Sequence, residues 1–157
     1  MHQPPPSIRP AAPSDLPAIL AVMRTAPWDK TRYLERVLAR GGAIVAKLDG
    51  HIVGYLVWNR EFFSLPFIWL VTVLPEYRRK GVASALIASV EERCRGSRLY
   101  SSTNRSNVAM QQLLETRGYR RCGEVDVDPG DAEVFYRKTL AASIMGDDGL
   151  EPPTFAV

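Results

Sequence analysis

The chain has 157 residues, a formal net charge of +3, 46% hydrophobic and 24% charged residues, which fits one soluble domain with its own core and is short for two. So weak a positive charge does not by itself indicate nucleic-acid binding and suits a small anionic ligand. The two cysteines, Cys94 and Cys122, form no CxxC pair, so they indicate no zinc site or disulfide framework and read as small buried apolar residues in a reducing, cytoplasmic setting.

No apolar stretch approaches the ~20 residues of a membrane span. Met1 to Pro6 reads as a flexible arm, residues 7–140 as the folded domain, and 141–157, with Gly146-Asp147-Asp148-Gly149 and Pro152-Pro153, as a flexible tail. Ser7 to Ala12 is a first strand. Ser14 caps a helix carrying Leu16, Ile19, Leu20 and Met23 at helical spacing. Asp29 caps a second helix with Leu34, Val37 and Leu38 on one face, ended by Gly41-Gly42. Ala43–Leu48 and His51–Trp58 form a hairpin around Asp49-Gly50, residues that accept positive φ. Glu61-Phe62-Phe63-Ser64 reads as a loop, and Phe67–Leu74 as a nearly unbroken apolar, hence central, strand stopped by Pro75.

A helix over Val82–Cys94, a strand over Arg98–Ser102, a helix over Asn107–Arg117 and a closing hairpin, Tyr119–Val127 with Glu133–Thr139, complete the chain. There is no internal repeat. His2 and His51 stand isolated, and no metal site is expected. The order β-α-α-β-β-β-α-β-α-β-β describes a single α/β (α+β) domain, a mixed sheet flanked by helices.

One stretch conflicts with helix electrostatics. In "YRRKGVAS", Tyr77 to Ser84, three basic residues precede a helix N-terminus that already carries positive partial charge. A bound anion resolves the conflict: unpaired N–H groups of the first turn cradle phosphate, Gly81 permits close approach, Ala83 is small and Ser84 adds a hydroxyl. A solvated basic turn is the competing reading. No GxxxxGK[ST] or GxGxxG pattern is present.

"VTVLPEYRRKGVASALI" resembles the acyl-CoA motif of the GNAT acetyltransferase superfamily, here Arg78-Arg79-Lys80-Gly81-Val82-Ala83. "TNRSNVAMQQLLETRGY" is similar to its second cofactor segment, and "IRPAAPSDLPAIL" to its first strand and helix. The resemblance implies a six- to seven-stranded sheet splayed between its fourth and fifth strands, and acetyl-CoA as cosubstrate. It implies that backbone groups of Val71 and Val73 pair with the pantetheine arm and that the Val73 amide polarises the thioester carbonyl. It also implies that N–H groups from Arg79 through Lys80, Gly81, Val82 and Ala83 to Ser84 hold the pyrophosphate, with Arg78 or Lys80 adding charge. Asn107 would bind the pantetheine arm, or simply cap its helix.

The chain departs from the family pattern at two places. Leu114 stands at the cofactor-side position where many family members place a Tyr as general acid to the leaving thiolate, and Phe67 where many place a Glu as general base. Tyr136 is a candidate acid and Glu61 a candidate base; Ser101, Ser102 and Thr103 end the fifth strand near the expected cleft. Trp28, Tyr33, Phe62, Phe63 and Trp69 are candidates for an aromatic acceptor pocket, and Asp126, Asp128 and Asp131 for attracting a cationic amine. The expected function is acetyl transfer to the primary amine of a small molecule or protein by direct attack in a ternary complex. A non-catalytic acyl-CoA-binding or sensing domain is the alternative. The expected protein is a monomer or homodimer without nucleic-acid, membrane or metal partners.

Overall fold

The computed structural model describes residues 3–23 and 29–142. Trp28, most of the expected tail and the first two residues of the expected arm lie outside these. The strands are β1 (Ser7–Pro10), β2 (Ala43–Leu48), β3 (His51–Phe62), β4 (Leu65–Val73), β5 (Arg98–Asn104), β6 (Arg120–Val125) and β7 (Glu133–Thr139). The helices are α1 (Leu16–Val22), α2 (Thr31–Ala39), α3 (Val82–Arg93) and α4 (Val108–Thr116), with short 3₁₀ turns at Pro13–Asp15 and Pro75–Tyr77. One seven-stranded sheet runs β1-β2-β3-β4-β5-β7-β6. Only β4 and β5 pair in parallel, and they pair only at Phe67↔Tyr100 and Ile68↔Ser101. The strands therefore part beyond Ile68, and the expected splay is present.

Each face of the sheet has its own core. Val82, Leu86, Val90 and Cys94 of α3 and Leu114 of α4 pack with Ile44, Leu56 and Leu99 on one face. Ile19 and Val22 of α1, with Leu34 and Leu38 of α2, cover Val45, Tyr55 and Val57 on the other. Gly54 brings α3 close to the sheet: a Cβ there would meet Val82 Cγ1 and the Thr72 carbonyl, each at 3.1 Å. The start of α3 thus lies against the strand whose far edge is open.

Several local expectations change. The β3–β4 hairpin reaches further than its apolar run, because Phe63 and Ser64 turn the chain at φ 51° and 61° without glycine. Phe62 then packs on Phe67 at 4.7 Å and on Tyr100 at 5.3 Å, which offsets the left-handed backbone. The stretch 61–64 is thus a hairpin tip, not a loop. Strand β1 stops at Pro10, short of Ala12. Ser14 lies within the 3₁₀ turn and caps nothing; Asp15 accepts the Ala12 N–H at 2.7 Å instead. Asp29 stands one residue before the N-cap of α2, which is Lys30, and its Oδ1 accepts from Thr31 N at 2.9 Å. Cys94 is buried as expected, whereas Cys122 is exposed because edge strand β6 is exposed throughout. Among the described residues no helix is long and apolar enough to cross a membrane, and no group of His, Cys, Asp or Glu could hold a metal ion.

Asp15 supplies a pH-dependent tie. Arg9 grips its carboxylate at 2.7 and 2.9 Å, and this contact, with the Ala12 N–H, holds the group down at about 2. A folded-state value below the unfolded one makes stability full above the usual carboxylate range and lost as pH falls toward 2. The urea midpoint is expected to fall between about pH 5 and pH 2.5, and to fall less in Asp15→Asn. Equal pH dependence of the two proteins would refute the assignment.

Candidate active site

The turn before α3 sets basic residues beside an uncapped helix start. Arg79 and Gly81 take positive φ, 61° and 77°, which rotates the backbone into the first helical turn. No side chain caps α3 at Gly81, so the N–H groups of Val82, Ala83 and Ser84 remain available. Arg78 Nε donates to the Val73 carbonyl at 3.3 Å, tying the turn to the end of β4. Lys80 Nζ lies 5.2 Å from the Tyr77 ring centroid. A cavity of about 600 Å³ opens here; Arg78, Arg79, Gly81 and Val82–Ser84 line one end, but Lys80 does not.

The other end of that cavity is the open edge of β4. Leu74 N–H donates to the Val53 carbonyl on the β3 side at 2.8 Å. Register is regular from Val73 to Leu70, and backbone groups alternate sides along a strand. The N–H groups of Val71 and Val73 therefore face away from β3, toward the gap left by β5. Val71 and Val73 line the cavity, as does Asn107 at the head of α4. Asn107 Oδ1 accepts from Met110 N at 3.2 Å, so the cap engages its oxygen and leaves the Nδ2 amide for a ligand. Both readings of this residue are thus compatible.

A second cavity, about 680 Å³, lies across the gap. It shares Val71, Asn107 and Met110 with the first and adds Trp69, Ser102, Thr103, Asp128, Asp131 and Glu133. Ser101 Oγ bridges to the Ile68 carbonyl at 3.2 Å, where β4 and β5 part. Ser102 Oγ donates to Glu133 Oε1 at 2.7 Å, and Ser106 engages both oxygens of Asp131.

The candidate acid and base lie elsewhere. The Tyr136 side chain is fully buried, and its hydroxyl meets Glu115 Oε1 at 3.2 Å. Burial, then the Glu115 carboxylate, raise its pKa, which makes it a poorer acid. Glu61 binds Asn59 and lines a separate cavity with Tyr33, Arg36 and Arg40. Leu114 is fully buried in the core, and Phe67 is buried beneath Phe62 and Trp69. Phe63 projects at the hairpin tip, and Asp126 lines a third hollow with Arg105 and Glu124.

Behind the anion turn stands a group that its sequence positions do not reveal. Glu91, buried on α3, accepts from Arg117, from Lys138 Nζ at 3.0 Å and from the Tyr119 hydroxyl at 3.2 Å. Burial and the Glu91 charge push the Tyr119 pKa up. Arg117 also donates to Ser84 Oγ at 2.7 Å. Arginine only donates, so Ser84 keeps its own proton to offer into the cavity. Glu91→Gln leaves two cations short of their shared anion and is expected to destabilise by roughly 3 kcal/mol. That lowers Tm by roughly 6–12 °C, and calorimetry showing a shift below about 2 °C would count against the network.

A strand edge opened beside an uncapped helix start is a fold shared with known proteins. Residues 14–119 match the acetyltransferase (GNAT) family, and the chain belongs to it. It is an acetyl-CoA-dependent N-acetyltransferase. The S-alkylcysteine N-acetyltransferase of Bacillus subtilis (strain 168) is 26% identical over 145 residues, covering 82% of this chain and 81% of that protein. A GNAT acetyltransferase structure from Bacillus cereus ATCC 10987 superposes with TM-score 0.78 at 28% identity, covering 86% of this chain and 97% of that one. A Salmonella typhimurium protein solved with its cofactor acetyl-CoA shares the fold at TM-score 0.68 and 20% identity, covering 92% and 99% of the two chains.

Proposed function

We propose that the protein transfers the acetyl group of acetyl-CoA to a primary amine by direct attack in a ternary complex. The observation that supports this is the pair of cavities meeting at Val71, Asn107 and Met110: cosubstrate and acceptor can enter from opposite sides of one strand edge. The Val82–Ser84 amides and Arg78 hold the pyrophosphate. Val71 pairs with the pantetheine arm as an added strand would, and the Val73 N–H donates to the thioester carbonyl as negative charge develops there.

The ammonium sheds one proton to solvent and the neutral nitrogen attacks the carbonyl carbon. The C–N bond forms, the C–S bond breaks, the new amide nitrogen gives up its second proton to water, and the departing sulfur takes up a proton. With Leu114 in the core and Tyr136 turned toward Glu115, water supplies that proton, and the positive end of α4 near Asn107 steadies the thiolate. Initial-velocity patterns test the order of events. Intersecting lines, with no acetylated protein by mass spectrometry, are expected. Parallel lines with an acetyl-enzyme would show a covalent route and reject direct attack.

A further inference from the structure

The acceptor-side cavity carries charge of one sign. Asp128, Asp131 and Glu133 line it, and no Lys or Arg is among its described lining residues. Asp131 is occupied by Ser106 through both oxygens, and Asp128 is exposed. Glu133 differs from both. It is half-buried at the start of β7, and the Ser102 hydroxyl holds Oε1, so the carboxylate has one orientation and Oε2 is left for another donor. The same cavity offers an apolar wall. Trp69 is 42% exposed yet fixed, its Nε1 donating to Asn59 Oδ1 at 2.8 Å and its ring 4.3 Å from that of Phe67.

We propose that the acceptor is a primary amine with no carboxylate beside it, whose ammonium docks on Glu133 and whose apolar arm lies on Trp69. This rests on the ternary-complex reading above, which makes the cavity across the β4 edge the acceptor's entrance. A free amino acid would bring its carboxylate among Asp128 and Glu133 with no cation in the described wall to receive it, and like charges at that range reject a ligand. The S-alkylcysteine acceptor in the Bacillus subtilis relative's name carries such a carboxylate; here the preference is for its decarboxylated counterpart.

The test compares S-benzylcysteine with S-benzylcysteamine, which differ only by the carboxylate, using the full chain and acetyl-CoA and following released thiol. S-Benzylcysteamine is expected to give a kcat/KM about tenfold higher or more. In Glu133→Gln its KM rises about tenfold with kcat little changed, and its advantage over S-benzylcysteine narrows. Equal or better use of S-benzylcysteine by the wild type overturns the proposal, and so does an unchanged KM in a folded Glu133→Gln. Should that variant not fold, the wild-type comparison alone decides. Turnover of neither compound, with acetyl-CoA still bound by calorimetry, overturns the acceptor class and leaves the cosubstrate site standing. Loss of acetyl-CoA binding itself would remove the ternary-complex reading beneath it.

Discussion

Gly81→Glu is expected to lower CoA affinity by roughly a thousandfold, about 4 kcal/mol, while the protein stays folded. Gly81 lies on the cavity wall at the start of α3, and a Cβ added there meets nothing within 4 Å, so the side chain clears the core. Two costs remain. The left-handed backbone, φ 77°, costs a residue with a Cβ on the order of 1 kcal/mol, which the free turn sheds by relaxing and CoA binding has to restore. The carboxylate then stands where the pyrophosphate charge should sit, and two such charges at about 5 Å repel by roughly 3 kcal/mol at an effective dielectric of 20. Gly81→Gln separates these terms, since it keeps the size and the strain without the charge. Its affinity loss should be roughly tenfold. Calorimetric titration with CoA reads both, and unchanged affinity in Gly81→Glu would sink the placement of the phosphates. The comparison also bears on the basic residues: Arg78 is tethered to β4 and Lys80 lies over Tyr77, while Arg79 and the backbone of the turn line the cavity.

The parts of this protein legible in its sequence are those set by short-range periodicity. Val82, Leu86, Val90 and Cys94 recur every fourth residue and all face the core, and Asp49-Gly50 marks its hairpin by turn chemistry alone. The turn before α3 was legible for the same reason, as a local clash between basic residues and a helix start. The misread features depend on contacts made through space. Phe63-Ser64 carries no turn signature, and of the rings that support the tip Phe67 belongs to the hairpin's own β4 while Tyr100 comes from β5. Ser102 and Glu133 lie 31 residues apart, Glu91 and Arg117 lie 26 apart, and only the β5–β7 pairing and the packing of α3 with α4 unite them. Tyr136 was a candidate acid by residue type and strand. Which face of β7 it occupies depends on register, and the register Ser101↔Tyr136 sends its hydroxyl to Glu115.

Val73→Pro is expected to lower kcat by roughly 10²–10³-fold, the range lost when one oxyanion-type donor is removed, with the KM for acetyl-CoA changed by less than about tenfold. Proline removes a backbone N–H and fixes φ near −65°, which normally breaks a strand. Here the geometry spares the ladder, because the ladder N–H groups toward β3 belong to Leu74 and, by alternation, to Thr72, while that of Val73 faces the open edge. The preceding Thr72 is already extended, as a residue before proline prefers to be. The loss should therefore fall on chemistry more than on folding or binding. Thr72→Pro is the matched control: it removes an N–H from the β3 side and should cost stability and cosubstrate binding together. A folded Val73→Pro enzyme retaining kcat within about threefold of wild type would mean that the carbonyl is polarised by another donor. Asn107, whose Nδ2 remains available above the same gap, would then be the nearest group to examine. A side-chain acid or base moves protons and does not replace an oxyanion donor, so removing this one amide should be among the most damaging single changes to turnover that leave the fold intact.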